Sequence, residues 1–357
     1  MIEINTKADE KGPKIIVIGI GGGGNNAINR MKGAGFRNIR FVAVNTDIQV
    51  LDACDADVKI QIGKKATSGY GAGANPEIGE AAALENEEDF KMLTEDADMC
   101  IITCGMGGGT GTGAAPVIAE YFKKAGVLTV AIVTTPFSFE NVPRIKAAQL
   151  GVDKLRATVD TIVVIPNDKL LGLSEKTLFL EDAFVIADSV LKYTVEGIAG
   201  IIFNKGMVNL DFNDLKTTLL NKGTGHLGIG IVDGDSTVME AVKQAISSPL
   251  LDTTISGADN ILINTSGRIN VIQLNEAINY VREMAGEKVN IIWGTVNQDS
   301  YGEEKIVVTL IATGMSEKKE PQELPTLKKI DPIPPIKEDV GMIMPPFLIE
   351  ARNRRRK

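Results

Sequence analysis

Through its first half the chain alternates short, wholly apolar runs with amphipathic stretches. Residues 14–20, 41–44, 58–62, 99–104, 127–133 and 161–165 are runs rich in Ile and Val, set off by polar or Gly-rich segments. Runs of this kind predict strands buried on both faces. Between them, residues 27–32, 76–85, 115–124 and 142–155 carry apolar side chains at helical spacing and predict helices. The alternation predicts an α/β fold with a mainly parallel sheet and helices on both faces, in which ligands sit at the carboxyl ends of the strands. The longest helical pattern, 181–203, places Phe184, Ala187, Leu191, Val195, Ile198 and Ile202 on one stripe behind an acidic start at Asp182. Such a helix is ~35 Å long. A smaller second α/β unit follows, with strands at 227–232, 260–264, 289–296 and 306–312 and helices at 214–220, 237–247 and 274–284. Trp293 reads as a core residue of its strand. From spacing alone, Asn213 caps the 214–220 helix and Asp211 is loop decoration.

Glycines at the strand ends change this picture. Gly21-Gly22-Gly23-Gly24-Asn25-Asn26 follows the first strand, Gly71-Ala72-Gly73-Ala74-Asn75-Pro76 leads into the 76–85 helix, and Gly105-Met106-Gly107-Gly108-Gly109-Thr110-Gly111-Thr112-Gly113 follows the 99–104 strand. A strand that opens through glycines into a helix start binds phosphate, because the backbone passes close to the anion and free helix N–H groups point at it. Thr110 and Thr112 add hydroxyl donors. A plain flexible connector is the rival reading, but connectors are seldom pinned between a buried strand and a helix. Gly19 to Gly24 also satisfies G-x-G-x-x-G, and Asp47 follows the next strand, so a dinucleotide-dependent oxidoreductase is a second rival. That fold uses one glycine fingerprint, whereas several strand ends here carry such loops. No Gly-Lys-Ser/Thr follows the glycines, which argues against a Walker-type loop. A nucleoside phosphate held by backbone amides remains. Phe184 and Asp188, one helical turn apart, form an aromatic-plus-carboxylate pair suited to guanine; taken alone, the plainer reading is a core Phe and a solvated Asp.

Composition narrows the classes. A length of 357 residues suits two domains plus tails, and a net charge of −8 argues against a broad nucleic-acid face. The single His226 argues against a His-based triad or zinc site, so no protein-held metal site is expected. Cys54, Cys100 and Cys104 lack metal spacing and fit a reducing cytoplasm, the last two as small buried hydrophobes. No run approaches the ~18 apolar residues that span a membrane, and none resembles a signal peptide. After Met315, half of the 14 prolines fall between Pro321 and Pro346 amid Lys and Glu, so 316–340 reads as a disordered linker. Residues 341–357 then join an apolar cluster, Met342 to Leu348, to a basic end. They read as a docking peptide that orders on a partner, with a weak contribution from anionic lipid. Residues 1–12 read as flexible.

Gly107-Gly108-Gly109-Thr110-Gly111-Thr112-Gly113 looks like the tubulin-type signature. With Gly21 to Ala27, Val44-Asn45-Thr46-Asp47, Gly71 to Pro76 and Asn209-Leu210-Asp211-Phe212, the chain resembles FtsZ, the bacterial tubulin-like cell-division GTPase family, over residues 14 to 314 and again at the C-terminal peptide. The resemblance implies a tubulin-like fold: a GTP-binding domain at 13–180, a central helix at 181–203 and an assembly domain at 204–315. It implies GTP or GDP held by Gly21, Gly22, Gly23, Gly24, Asn25, Asn26 and Asp47, by Gly71, Ala72 and Gly73, by Gly105, Gly107, Gly108, Gly109, Thr110, Gly111, Thr112 and Gly113, and by Thr134 and Pro136. Mg2+ would be held mainly through the phosphates. Glu140 and Arg144 belong at the ribose and phosphate side, and Asn167, Phe184 and Asp188 at the guanine. Asn209, Asp211 and Asp214 belong to the catalytic loop that completes the neighbouring subunit's site, orienting water and cation.

The length of the central helix supports this implication. The Asp211 loop lies ~35 Å from the base, too far for a side-chain movement to close. Those aspartates would act on a subunit stacked head to tail, a contact that propagates into filaments. The resemblance further implies self-association into a division ring at midcell in the cytoplasm. It implies membrane-tether and regulatory partners at 341–357, and no nucleic-acid partner. A non-hydrolysing, tubulin-related filament or adaptor is the remaining rival, and the retained Asp211 and Asp214 argue against it.

Overall fold

Burial on both faces decides the central strands. In the computed structural model β1 (Ile15–Ile20) is buried at every position, and β4 (Met99–Gly105) and β5 (Leu128–Thr135) are buried up to their last residue. The structure describes residues 12–32, 39–171, 179–203, 208–247, 253–296 and 305–315. Of the flexible start expected at residues 1–12, all but Gly12 lies outside the described residues, as do the linker and the docking peptide.

Around β1 stand β2 (Ile39–Asn45), β3 (Val58–Gln61), β6 (Thr161–Pro166) and β7 (Gly223–Asp233), followed by β8 (Asn260–Ser266), β9 (Asn290–Val296) and β10 (Lys305–Thr313). Among the described residues they form a ten-stranded sheet in the order β3-β2-β1-β4-β5-β6-β7-β10-β8-β9. Every pair from β3 to β7 is parallel; β10 runs antiparallel to both β7 and β8, and β8 pairs β9 in parallel. The sheet is therefore mixed, and β7 carries it across from one half to the other. Only Thr161–Gly223 and Ile162–Thr224 join β6 to β7. Asp160 reinforces that seam, its carbonyl accepting from Lys222 and Gly223 and its buried carboxylate from Thr129 and Asn221.

The helices in chain order are α1 (Gly21–Lys32), α2 (Ile48–Asp52), α3 (Lys64–Thr67), α4 (Pro76–Glu85), α5 (Glu87–Thr94), α6 (Thr110–Lys124), α7 (Val142–Thr158), α8 (Asn167–Leu171), α9 (Leu180–Phe203), α10 (Phe212–Leu219), α11 (Val238–Ile246) and α12 (Val271–Ala285). Ile16, Ile18 and Ile20 share a core with Phe90 of α5, Ile118 and Phe122 of α6 and Val152 of α7. Side chains alternate along a strand, so the odd positions of β1 face the other way. There α1 packs close enough that a Cβ on Gly19 would meet Ile28 Cγ1 at 2.5 Å, and α9 packs against α1 and β5. The expected helices on both faces are present. A second core joins α11 and α12 to β8 and β10.

Several boundaries differ from the sequence reading. α1 and α6 begin at Gly21 and Thr110, six and five residues earlier than apolar spacing suggested (27 − 21 and 115 − 110). Glycine is a poor helix former, but the surrounding contacts hold these first turns. α10 is capped by Asp211 and not by Asn213. Asp211 Oδ1 accepts from Asp214 N at 2.9 Å and Asp214 Oδ2 from Asp211 N at 3.0 Å, a reciprocal capping box. Trp293 is 36% exposed and so is not a core residue. The short α2, α3, α5 and α8 have too few turns to show a period.

Cys100 and Cys104 are fully buried, and burial pushes the Cys104 thiol up to about 12, as expected of small inert hydrophobes. His226 is buried too, with Nδ1 3.1 Å from the Thr253 carbonyl oxygen and Nε2 3.3 Å from that of Ala245. Burial lowers its affinity for a proton, and the hydrogen bonds offset this in part.

Two expectations about stability follow from this packing. The unfolded chain takes up a proton at His226 more readily than the folded one, so this contribution is complete above ~6.5 and is lost as pH falls below it. Between pH 7.5 and 5.5 it should cost up to about 1 kcal/mol, seen as a steeper fall in the urea midpoint for the wild type than for His226→Gln. A Cβ on Gly113 would lie 1.9 Å from the Pro76 carbonyl oxygen. Gly113→Ala should therefore destabilise by about 1–3 kcal/mol in urea denaturation.

Candidate nucleotide site

At the carboxyl ends of β1 and β4 two glycine segments touch through their backbones. A Cβ on Gly21 would sit 3.0 Å from Gly111 N, and one on Gly23 3.2 Å from Gly105 N. Gly21 and Gly107 adopt φ of 71° and 95°, the left-handed region that favours glycine. The remaining glycines divide by what surrounds them. Gly24, Gly109, Gly111 and Gly113 are closed in, with protein atoms at 3.0 Å or less from a Cβ. Gly22, Gly73 and Gly108 have nothing within 4 Å and open outward.

The starts of α1 and α6 converge here, so the positive ends of two helix dipoles face one place. Asp47, Asn75, Asn141, Asp211, Thr237 and Asn270 cap their own helices with side-chain bonds, but α6 has no capping side chain. Its first N–H groups remain for an anion.

A buried network sets the loops in register. Asn25 Nδ2 donates to Gly19 O at 2.9 Å, and its Oδ1 accepts from Asn45 Nδ2 at 2.7 Å. Asn45 Oδ1 in turn accepts from Asp47 N at 3.1 Å. Thr46 and Thr110 pair their hydroxyls at 2.7 Å, and Thr112 Oγ1 accepts from Gly107 N at 2.8 Å. The side chains of Asn25, Asp47 and Thr112 are thus engaged by the protein, as is the Asp47 backbone, whose N–H meets Asn45 and whose carbonyl accepts from Leu51 N; Asn26 is exposed. Ala72 is buried against Gly109, and Gly71 lies beside Asp47.

On the β5 side, Met106 N donates to the Thr134 carbonyl at 2.8 Å, and Pro136 packs on Gly107. Arg144 also lies over Gly107, and its Nε pairs with Glu140 Oε2 at 2.9 Å. Glu140 Oε1 accepts from Phe137 N at 2.9 Å, so the loop, the acid and the base form one unit. Beyond it, Phe137 meets Phe184 edge to face at 5.4 Å; Phe184 is 41% exposed and so is not a core residue. Asp188 is buried and pairs its Oδ2 with Arg30 Nε at 3.0 Å, which removes the solvated-charge reading. Burial raises its pKa and Arg30 offsets part of this. Asn167, the first residue of α8, is buried with its Oδ1 lacking a hydrogen-bond partner. An orphaned buried acceptor is costly unless a ligand donor fills it, and guanine has such donors. Open glycines, an uncapped helix start and an orphan acceptor fit a guanine nucleotide. For a metal, no group of three or more His, Cys, Asp or Glu gathers among the described residues.

Asn209, Asp211 and Asp214 lie elsewhere. Val208 and Thr295 of β9 exchange bonds, Thr295 N to Val208 O at 2.8 Å and Val208 N to Thr295 Oγ1 at 3.2 Å, and Gly294 makes room for Leu210. This loop follows the end of α9, where Phe203 lies 4.0 Å from a Cβ built on Gly12, just before the amino end of β1. The glycine segments are at the opposite end of the same strand. Sequence reasoning missed Arg30, Asn45 and Thr46. Arg30 had no local signal, standing 158 positions from its partner; Asn45 and Thr46 lay inside the quoted Val44 to Asp47 motif.

The GTPase domain of the Tubulin/FtsZ family matches residues 14–175, and the C-terminal domain of the FtsZ family matches residues 223–316. A solved structure of a point mutant of FtsZ from M. jannaschii is 44% identical, with a TM-score of 0.80 over 86% of this chain and 92% of that one. An empty FtsZ dimer from M. jannaschii is 41% identical, with a TM-score of 0.80 over 92% and 96%. CetZ2 from Haloferax volcanii, in a GTPγS-bound protofilament, is 20% identical with a TM-score of 0.74 over 86% and 94%, a likeness of fold. With two family domains in order and relatives above 40% identity along most of its length, the chain belongs to the FtsZ family of tubulin-like GTPases.

Proposed function

We propose that this FtsZ-family GTPase hydrolyses GTP only when a second copy completes its site, and that it does so within head-to-tail filaments of the cell-division ring. The observation that carries this reading is the separation of the two halves of the site. α9 spans 24 residues, ~36 Å, with the aromatic end at Phe184 and the Asp211 loop beyond its far end. One chain cannot bring these together, but a stacked second copy can, and such a contact propagates. The M. jannaschii dimer supports self-association.

In this reading the backbone N–H groups at Gly22, Gly23 and Gly108, backed by the starts of α1 and α6, hold the phosphates. The glycines of the 71–73 and 105–113 segments, with Thr134 and Pro136, shape that cradle. Arg144 and Glu140 meet the ribose and phosphate side. Asn167, Asp188 and Phe184 read guanine by accepting its N–H donors and covering its face. A magnesium ion, when bound, supplies charge neutralisation at the phosphates, which are its main ligands. Asp211 and Asp214 of the next copy, with Asn209, orient the attacking water and the cation. Each carboxylate spends one oxygen on the other's N–H, which fixes it before any ligand arrives and leaves its second oxygen for that task. Hydrolysis then needs positioning and electrostatics, with no covalent intermediate on the protein. Residues 341–357 serve as the docking peptide for membrane-tether and regulatory division proteins, a reading supported by their composition and by family membership. Cytoplasmic action at midcell is the reading that the same membership supports.

Turnover per subunit should rise with protein concentration and plateau once assembled; flat specific activity down to nanomolar protein rejects hydrolysis in trans. Asp211→Asn keeps an oxygen acceptor for the cap and should leave stability and GTP affinity near wild type, while turnover falls about 100-fold or more. For the cradle, Gly22→Ala adds a methyl that meets no protein atom. It should leave the urea midpoint no lower yet weaken GTP binding about tenfold by isothermal calorimetry, since a good backbone–anion contact is worth roughly that much. Unchanged affinity would place the phosphates elsewhere.

A further inference from the structure

Arg30 stands on α1, a turn and a half beyond the glycines, and no glycine motif includes it. We propose that Arg30 is a positioning residue for base recognition: its guanidinium fixes the Asp188 carboxylate so that the other oxygen accepts from guanine. The inference rests on the reading above that Asp188 meets the base.

The geometry is one-sided. Arg30 uses Nε alone, on Oδ2 alone, at 3.0 Å, which leaves Oδ1 outside the ion pair. Exposure then separates two roles for the pair. The Arg30 side chain is 37% exposed and that of Asp188 13%. The Arg30 end of the pair is open to solvent, which screens it and limits what the pair contributes to folding. The carboxylate it serves, by contrast, is desolvated, and burial drives it toward the neutral acid. Guanidinium stays charged at any working pH, so it holds a negative carboxylate where burial would discharge it. The other charged groups nearby are engaged elsewhere or lie further along. Lys192, one turn on in α9, sits over the Tyr193 ring at 5.2 Å, and Asp168 of α8 accepts from Ser138 N at 2.8 Å. Lys169 of α8 has its own partner, and β5 offers no ionisable side chain.

Charge state here is base specificity. An ionised carboxylate only accepts, which suits the adjacent N1–H and N2–H of guanine. A protonated one donates and accepts, which suits the N1 acceptor and N6–H donor of adenine. Removing Arg30 should therefore weaken GTP and relax discrimination against ATP, most strongly at low pH.

Equilibrium binding of GTP and of ATP to the full chain, measured calorimetrically from pH 6 to 8.5, tests this. Wild-type GTP affinity should be nearly flat. For Arg30→Met it should fall about tenfold at pH 6, with the loss shrinking as pH rises and the carboxylate ionises, and the GTP-to-ATP ratio should narrow in parallel. Arg30→Lys, which keeps a charge, should recover most of the affinity. Added to Asp188→Asn, Arg30→Met should cost nothing further, and this double variant leaves no unpaired buried charge if the single one folds poorly. A GTP affinity for Arg30→Met that matches wild type, or a loss independent of pH and additive with Asp188→Asn, overturns the inference and leaves base reading by Asp188 intact. If Asp188→Asn itself binds GTP normally, the base reading fails, and this inference with it.

Discussion

The contact on which the rest of the molecule depends is a backbone touching a backbone. Where the segment after β1 meets the segment after β4, Gly21 and Gly23 lie so near Gly111 and Gly105 that a Cβ would sit 3.0 and 3.2 Å from their backbone nitrogens. Packed interiors resist compression, so a methyl at such a point must push the facing backbone aside by a few tenths of an ångström. That contact brings two helix starts to one place. It puts the Thr46–Thr110 hydroxyl pair and the Asn25–Asn45 amide pair within bonding range, and it sets the height at which α6 rides over the sheet.

Much of this was legible from residue order, and the reasons differ by element. The parallel strands were plain because burial on both faces leaves only Ile, Val and their like, as in β1 and β5. The beginnings of α1 and α6 were not, because glycine signals a break locally while tertiary contacts impose a helix. The Asp211 cap was readable in principle, as Asp-x-x-Asp fits a capping box, but Asn213 stood nearer the apolar run and drew the assignment. Trp293 was misplaced because a short apolar strand does not say which of its faces is covered.

The candidate site shows the same divide. Clustered glycines announced a cradle, yet nothing in their order separates those that close packing requires, such as Gly113, from those that open outward, such as Gly108. Asp188 carried two readings until its surroundings were known. Its burial and its guanidinium partner come from α9 and α1, elements far apart in sequence whose meeting depends on the whole sheet. Long-range pairings of this kind have no signature in a window of residues.

The placement of the Asp211 loop at one end and the glycine segments at the other gives any assembled row a sense of direction. Under the proposed completion of each site by a neighbour, a row of finite length carries one more cradle than it has completed centres. The surplus cradle always falls at the same terminus, and the surplus carboxylates always at the other. On that proposal the two tips of a filament differ in chemistry although every subunit is identical: one would retain its nucleotide unspent, and the other would display acids with nothing to act on.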